Sequence, residues 1–286
     1  MKIKRTIFIL LTSIAMPCLA SRTVKDDLGH TVEVPDHPQR VVCLMPSLVD
    51  DVYALGAGSD IVAIVDDSKY PPEAKTKPSV GLPLSPSLKK IISFHPDLVL
   101  ASGDGEVSKA VGELQKQNIP VFAVTAHGIE GIYQSIASVG RALNREQQSA
   151  TLVGRLRERA KAVQQRVAGK PVINVLMPIW NDPIVTIGKD AFTTDLIAMA
   201  GGHSVTSDLP GEWPQISLEE VLKLAPEALV LVGEGRMSVR SLATSPGWIT
   251  LEAVKNKRIY WIDDRIEHPS PVAFDGMEDL AKQFHP

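Results

Sequence analysis

A ten-residue pattern occurs twice in the chain, 130 residues apart: Ser87-Leu88-Lys89-Lys90-Ile91-Ile92-Ser93-Phe94-His95-Pro96 and Ser217-Leu218-Glu219-Glu220-Val221-Leu222-Lys223-Leu224-Ala225-Pro226. In both copies the apolar residues keep helical spacing and a proline ends the helix. A β-rich run then follows, Leu98-Val99-Leu100 in one and Leu229-Val230-Leu231 in the other. A helix that feeds a buried strand, repeated at this distance, restricts the chain to two halves of like order. A second pair agrees at an offset of 132: Val41-Val42-Cys43-Leu44-Met45-Pro46 and Ile173-Asn174-Val175-Leu176-Met177-Pro178. Each half is thus expected to open on a strand that stops at a proline. Ile61 to Val65, Pro120 to Val124 and Arg258 to Ile262 read as further strands alternating with helices, and hairpin signals are scarce. That alternation predicts two α/β lobes with parallel sheets.

Between the halves, Asn144 is placed to cap a helix from Arg145 to about Val167, through Leu152, Leu156, Arg159 and Val163, which ends before Gly169 and Pro171. A rod of about 22 residues is on the order of 33 Å long, stiff enough to limit hinge closure. The division expected is a leader over 1–20, a first lobe over 21–144, the helix over 145–168 and a second lobe over 169–286.

The leader stands apart from the rest. Lys2, Lys4 and Arg5 precede an apolar run from Ile7 to Met16, which is too short to span a bilayer. Cys18 and Ala20 are the small residues expected before a cut at Ser21, so a soluble periplasmic protein is predicted. Lipid attachment at Cys18 is the rival reading, and Pro17 in front of it argues against that. Removing the leader takes three of the 30 basic residues and none of the 33 acidic ones, which leaves a balance of minus six. Nucleic acid is therefore not an expected partner. Only Cys43 remains of the two cysteines, so no internal disulfide can form. Its apolar run reads as core.

Catalytic signatures are missing. Gly56-Ala57-Gly58 follows a helical stretch rather than a strand and reads as a helix stop. There is no Gly-x-Ser-x-Gly elbow, no phosphate loop and no His-Glu-x-x-His, and the seven histidines lack ligand spacing, so neither a catalytic nor a metal site is assigned. The aromatic residues carry more information. Trp180 follows the strand at Pro178, and Trp213 sits in Gly211-Glu212-Trp213-Pro214. A lone tryptophan ordinarily covers its own lobe's core; two at the edge that faces the crevice of an α/β lobe read as ligand contacts. The polar run from Asp263 to Pro271 follows the last strand and reads as a rim able to hydrogen-bond a ligand.

From about residue 30 to 284 the chain resembles the substrate-binding proteins of cobalamin and iron-siderophore importers. The carriers are Arg40 to Ser47 with Ala54-Leu55-Gly56-Ala57-Gly58; Tyr70-Pro71-Pro72-Glu73-Ala74; Pro96-Asp97-Leu98-Val99; Gly188-Lys189 with Ala200-Gly201-Gly202; and Trp213-Pro214-Gln215-Ile216-Ser217. The resemblance implies two Rossmann-like lobes joined by one long α-helix, the class III periplasmic binding architecture of the helical-backbone metal receptor type. It also implies no catalysis, no cofactor, and a monomer that hands its ligand to an ABC permease dimer without inserting in the membrane.

Within that class the chain is most similar to the vitamin B12-binding branch. The implied ligand-lining positions are Pro46, with Ser47 beside it, Asp67, Pro83, Trp180, Trp213, Asp264, Glu267 and His268. Pro46, Trp213, Asp264 and Glu267 keep the expected residue; Asp67 and Pro83 stand in place of aromatic rings, and His268 in place of an arginine. Asp67, Asp264 and Glu267 make an acidic cleft, unfit for strongly anionic catecholates and suited to an amide-rimmed corrinoid. Hydroxamate siderophores stay open as the alternative cargo, and an α/β enzyme with a cleft site is the third reading. The resemblance further implies an acidic residue on each lobe for permease docking. Glu219 supplies one, and Lys89, its counterpart in the repeat, reverses the sign.

Overall fold

The computed structural model describes residues 20–103, 108–233 and 244–286, with side chains from 111 onward in the second stretch. Residues 1–19 of the leader expected over 1–20, Cys18 included, lie outside the described residues. The chain opens on an antiparallel hairpin, β1 (Ser21–Lys25) and β2 (Thr31–Pro35). The first sheet follows: β3 (Val41–Cys43), β4 (Ile61–Ala63), β7 (Leu98–Ser102) and β8 (Val121–Val124), all parallel, in the order β4-β3-β7-β8. The second consists of β9 (Ile173–Leu176), β12 (Gly202–Ser204), β14 (Ala228–Val232) and β15 (Ile259–Ile262), also parallel, in the order β12-β9-β14-β15. Numbered within its own half, each sheet runs 2-1-3-4. The repeat read from the sequence is thus a repeat of topology. Each half has its switch point between its first and third strands, where open α/β sheets bind ligands beyond the carboxyl ends.

The repeated decapeptides form α2 (Leu88–Ser93) and α7 (Leu218–Leu224), each capped by its serine. The agreement extends past the sequence: His95 and Ala225, which precede the two prolines, both turn through positive φ, 46° and 45°. The caps differ in strength. Ser217 Oγ accepts from Glu220 N–H at 3.2 Å while the Glu220 carboxylate accepts from Ser217 N–H at 2.7 Å, a reciprocal box. Ser87 makes a single bond of 3.4 Å to Lys90 N–H. Ser217→Ala is therefore expected to cost about 1 kcal/mol, and Ser87→Ala less, read from urea unfolding followed by circular dichroism.

Helices cover both faces of each sheet. The central layer joins the halves: α1 (Pro46–Ala54), α4 (Gly128–Ala142), α5 (Glu146–Val167), α6 (Phe192–Met199) and α9 (Ala273–Phe284) contribute to one apolar cluster reaching from Val32 to Phe284. α5 enters it through Leu152, Leu156, Ala160, Val163 and Val167, spaced three or four apart along one stripe. Arg159, on its half-buried flank, reaches Asp275 and Glu278 of α9 at 2.6 and 2.7 Å. Smaller clusters lie on the outer faces, one under α2 and α3 (Ser108–Gln115), the other under α7 and α8 (Glu252–Lys255). Cys43 is fully buried, as its apolar run predicts. Among the described residues no helix is long and apolar enough to cross a membrane.

Three local readings need correction. Asn144 does not cap α5: it takes a left-handed turn at φ 57°, and Arg145 N–H bonds Gly140 O at 2.7 Å, so it closes α4 in the manner usual for glycine. Arg145 precedes α5 with no side-chain cap. Pro178 does not end the first strand of the second half; it begins β10 (Pro178–Asn181), which joins β11 (Ile184–Thr186) and β13 (Gln215–Ile216) in an antiparallel sheet. Hairpins are also more frequent than expected. Besides these there is β5 (Gly81–Leu82) with β6 (Ser85–Pro86), and at the β1–β2 turn the Asp26 carboxylate accepts from Leu28 and His30 N–H while Gly29 takes φ 81°.

Candidate functional site

The carboxyl ends of β3, β7 and β8 carry Met45, Ser102, Val124 and Ala126 to the edge of the first sheet. Facing them from the second half are the loop with Glu212 and Trp213 and the segment with Glu267 and Pro269. They enclose a cavity of about 240 Å³, completed by Ser47, Leu48, Ser135 and Phe192. Its wall combines an indole, two carboxylates, three serines and apolar groups, and among the described residues none that lines it is a lysine, arginine or histidine. Such a surface holds a neutral or donor-rich ligand and repels an anionic one.

Of the residues expected from the sequence, Ser47, Trp213 and Glu267 line this cavity, and Pro46 stands at the first position of α1 between two lining residues. His268 stands between two lining residues and Asp264 opens the same short segment, and both are bonded to side chains of the first half. Asp67 is exposed at φ 63°, and Pro83 sits in the β5–β6 turn. Trp180 is not among the lining residues: it lies on β10, 52 % exposed, and its indole N–H goes to Asp182 O of its own hairpin at 3.1 Å. Lys89 and Glu219 occupy matching positions in the first turns of α2 and α7, both exposed, with Glu219 2.8 Å from Lys223.

The polar frame around the cavity comes from residues that sequence reasoning missed. The Asp50 carboxylate, buried on α1, accepts from Ser270 Oγ at 2.9 Å and meets His268 Nδ1 at 3.1 Å. Lys69 Nζ lies 2.5 Å from Asp264, and the Tyr70 hydroxyl lies 2.5 Å from Asp264 and 2.9 Å from Asp263. On another side His127 Nδ1 meets Glu212 at 3.0 Å, and Asp195 of α6 accepts the Ile129 N–H at 3.0 Å. Asp51 is wholly buried and accepts from the lining residue Ser135 at 2.8 Å. Burial pushes its carboxyl well above the usual carboxylate range, the Ser135 bond opposes, and the neighbouring Asp50 adds to the rise. Asp50 is raised by burial too, with its His268 and Ser270 bonds holding it back. The Cys43 thiol is pushed up by burial and then by Asp51 and Asp50, far from nucleophilic readiness. One signal for the acids was available: Asp50-Asp51 interrupts Leu48-Val49 and Val52 on a helix whose every turn otherwise faces the core. Among the described residues no group of three or more His, Cys, Asp or Glu side chains stands ready to hold a metal ion.

Two α/β lobes of the same strand order, packed through shared helices and facing each other over an aromatic and acidic cleft, define a two-lobed ligand-binding protein. Residues 41–266 match the family described as periplasmic binding protein, and the chain belongs to that family. It is accordingly an extracytoplasmic binding protein and not an enzyme, and what its cleft holds is cargo, not a cofactor. Its relatives include an uncharacterized ABC transporter substrate-binding lipoprotein of Bacillus subtilis (strain 168), 30% identical, with 92% of this chain and 85% of that one covered. A vitamin B12-binding protein of Pectobacterium carotovorum is also 30% identical, over 68% of this chain and 72% of its own. Among solved structures, the molybdate periplasmic binding protein of Haemophilus influenzae superposes with a TM-score of 0.80 at 23% identity, covering 93% of this chain and 91% of that one, a likeness of fold.

Proposed function

We propose that the protein is the substrate-binding component of an ABC importer and that its cargo is a corrinoid. The observation that carries this reading is the cavity wall: the Trp213 indole beside Glu212 and Glu267, with no cationic side chain among the described lining residues. A corrinoid offers a wide ring for the indole face and a rim of amide N–H donors for the carboxylates and serines. A tetrahedral oxyanion or a catecholate chelate would bring negative charge against two acids. The relatives named for vitamin B12 and for ABC transport support the same reading. A ferric hydroxamate, nearly neutral, is the second reading, favoured by the same charge pattern.

We assign the first ligand contacts to Ser47, Trp213 and Glu267. A corrinoid is larger than the cavity of about 240 Å³, so Pro46, Asp67, Pro83, Trp180, Asp264 and His268 come into contact only as the lobes part. Glu219 serves permease docking on its lobe, and the permease surface opposite Lys89 carries the matching reversal of charge. The protein travels through the leader over 1–20 and acts as a monomer. Because one relative is a lipoprotein, intact mass of the host-derived protein decides between Ser21 as its first residue and a lipidated Cys18, and identifies any retained cargo.

Calorimetric titration with cyanocobalamin is expected to give one tight site, and Trp213→Ala to weaken it by about 1–3 kcal/mol. No heat at micromolar protein would end the corrinoid reading and send the titration to ferric hydroxamates.

A further inference from the structure

The contacts across the cleft mouth form a continuous chain that changes lobe at every step. Asp50 of the first lobe holds His268 of the second at 3.1 Å. The His268 ring meets the edge of Tyr70 of the first, centroids 5.3 Å apart at 76°. Tyr70 bonds Asp264 of the second at 2.5 Å, and Asp264 takes Lys69 of the first at 2.5 Å. Asp263, also within reach of the Tyr70 hydroxyl at 2.9 Å, is held by Arg265 of its own lobe at 2.9 Å. Two of the positions implied as ligand contacts, Asp264 and His268, are therefore occupied by side chains of the opposite lobe.

We infer that Lys69 and Tyr70 are specificity-determining residues of the cleft: they clasp Asp263 and Asp264 across its mouth, and a ligand is admitted only when it replaces the donors they supply. The substrate class this selects rests on the corrinoid reading above; the clasp itself does not.

The charges explain both halves of the inference. Asp263 and Asp264 face one ammonium from the other lobe and one guanidinium from their own, and that guanidinium also serves Asp275 and Asp279, so the mouth keeps an acidic excess that donors must meet. The phenol brings a single proton to two carboxylates and serves the nearer one. In the clasped state the Asp264 side chain is only 21% exposed, and parting the lobes strips it of an ammonium and a hydroxyl. A ligand with amide N–H groups restores those bonds; an anionic ligand cannot. Lys69 is itself 46% exposed, and ion pairs with that much solvent are weak. The clasp is thus weak enough for cargo to displace. Burial would raise the Asp264 carboxyl, but the bonds from Lys69 and Tyr70 outweigh it and hold the group below its ordinary range. The clasp therefore persists down to mildly acidic pH and is lost only as pH falls through that depressed value.

The test separates the clasp from its cargo. Spin labels at Lys116→Cys and Lys255→Cys, one on each lobe, with Cys43 buried and so not labelled, report interlobe distance in the leader-free chain by pulsed electron paramagnetic resonance with no ligand present. Lys69→Met/Tyr70→Phe, which keeps the ring against His268, is expected to shift the distribution to longer distances, and Asp264→Asn to do the same. Since apparent affinity scales with the open fraction, cyanocobalamin association with Lys69→Met/Tyr70→Phe, which leaves the Asp264 carboxylate in place for the ligand, is expected to quicken in stopped flow by about fivefold to tenfold. Unchanged distance distributions in both variants would overturn the inference. So would slower association, because the side chains would then be gripping the ligand rather than competing with it. A shifted distribution with no cyanocobalamin binding by any form upholds the clasp and removes only the corrinoid reading.

Discussion

Replacing Phe274 with alanine is expected to lower the unfolding free energy by about 3–5 kcal/mol, the largest stability loss foreseen for any single side chain described above. Phe274 lies on α9, fully buried, with its ring 5.7 Å from Tyr133 of α4 at 35°. α4 belongs to the first half and α9 to the second, so the pair stitches one lobe to the other. Behind Tyr133 the Arg157 guanidinium of α5 sits 4.4 Å from the ring centre, so the three helices meet at one point. The cavity left by truncation cannot collapse without drawing the helices from their seats, which places the cost at the upper end for such changes. Urea unfolding followed by circular dichroism measures it. Because one cluster runs through both halves, the native protein is also expected to unfold in a single transition. A loss near 1 kcal/mol, or two separate transitions, would mean that the lobes do not share a core.

The architecture was legible where sequence carries a local period. Ser87 to Pro96 and Ser217 to Pro226 hold cap, helix, proline and strand within a few residues of each other, and the structure returns that order in both halves. The misreadings fall where a local signal has two meanings. Asn144 favours both a helix start and a left-handed helix end, and the deciding contact is a backbone bond from Arg145 to Gly140. Pro178 stops a buried strand in one reading and opens an edge strand in the other; the Asn181-Asp182-Pro183 turn, which folds β10 back on β11, was the overlooked cue.

Site legibility follows the same rule. Trp213 is singled out as an aromatic in a loop at the cleft-facing edge, Glu267 by the polar run that follows the last strand, and Ser47 only through the family resemblance. Trp180 satisfies the aromatic criterion equally well, and its hairpin nonetheless keeps the indole N–H for itself. Asp50, Lys69 and Tyr70 were out of reach for another reason. Their partners are 218, 195 and 194 positions away, and nothing local distinguishes a lysine that will bridge two lobes from one that will stay in solvent.

Gly188→Ala is expected to weaken ligand binding strongly while leaving the fold intact. Gly188 to Asp190 and Leu209 to Glu212 lie zipped together, with Gly188 N–H on Glu212 O at 2.9 Å, Lys189 N–H on Leu209 O at 2.8 Å and Gly211 N–H on the Asp190 carboxylate at 3.0 Å. A Cβ at Gly188 would stand 2.3 Å from Gly211 O, 2.8 Å from Pro214 Cδ and 2.9 Å from Leu209 O. Two of these are backbone oxygens that no side-chain rotation can move aside, so the loop bearing Glu212 and Trp213 must shift as a unit. Overpacking of this kind costs about 1–3 kcal/mol of stability. Displacing the indole and one carboxylate together is expected to weaken cyanocobalamin binding by about a hundredfold, near 3 kcal/mol. Gly112→Ala and Gly154→Ala are the controls, since a Cβ at either helical position meets nothing within 4 Å, and each should stabilise by roughly 0.4–1 kcal/mol. Calorimetry reads the binding, and thermal unfolding together with tryptophan emission reads the loop without any ligand. Native emission, melting temperature and affinity in Gly188→Ala would mean that the Trp213 loop is not held by this zip and that its place on the cleft wall has another cause.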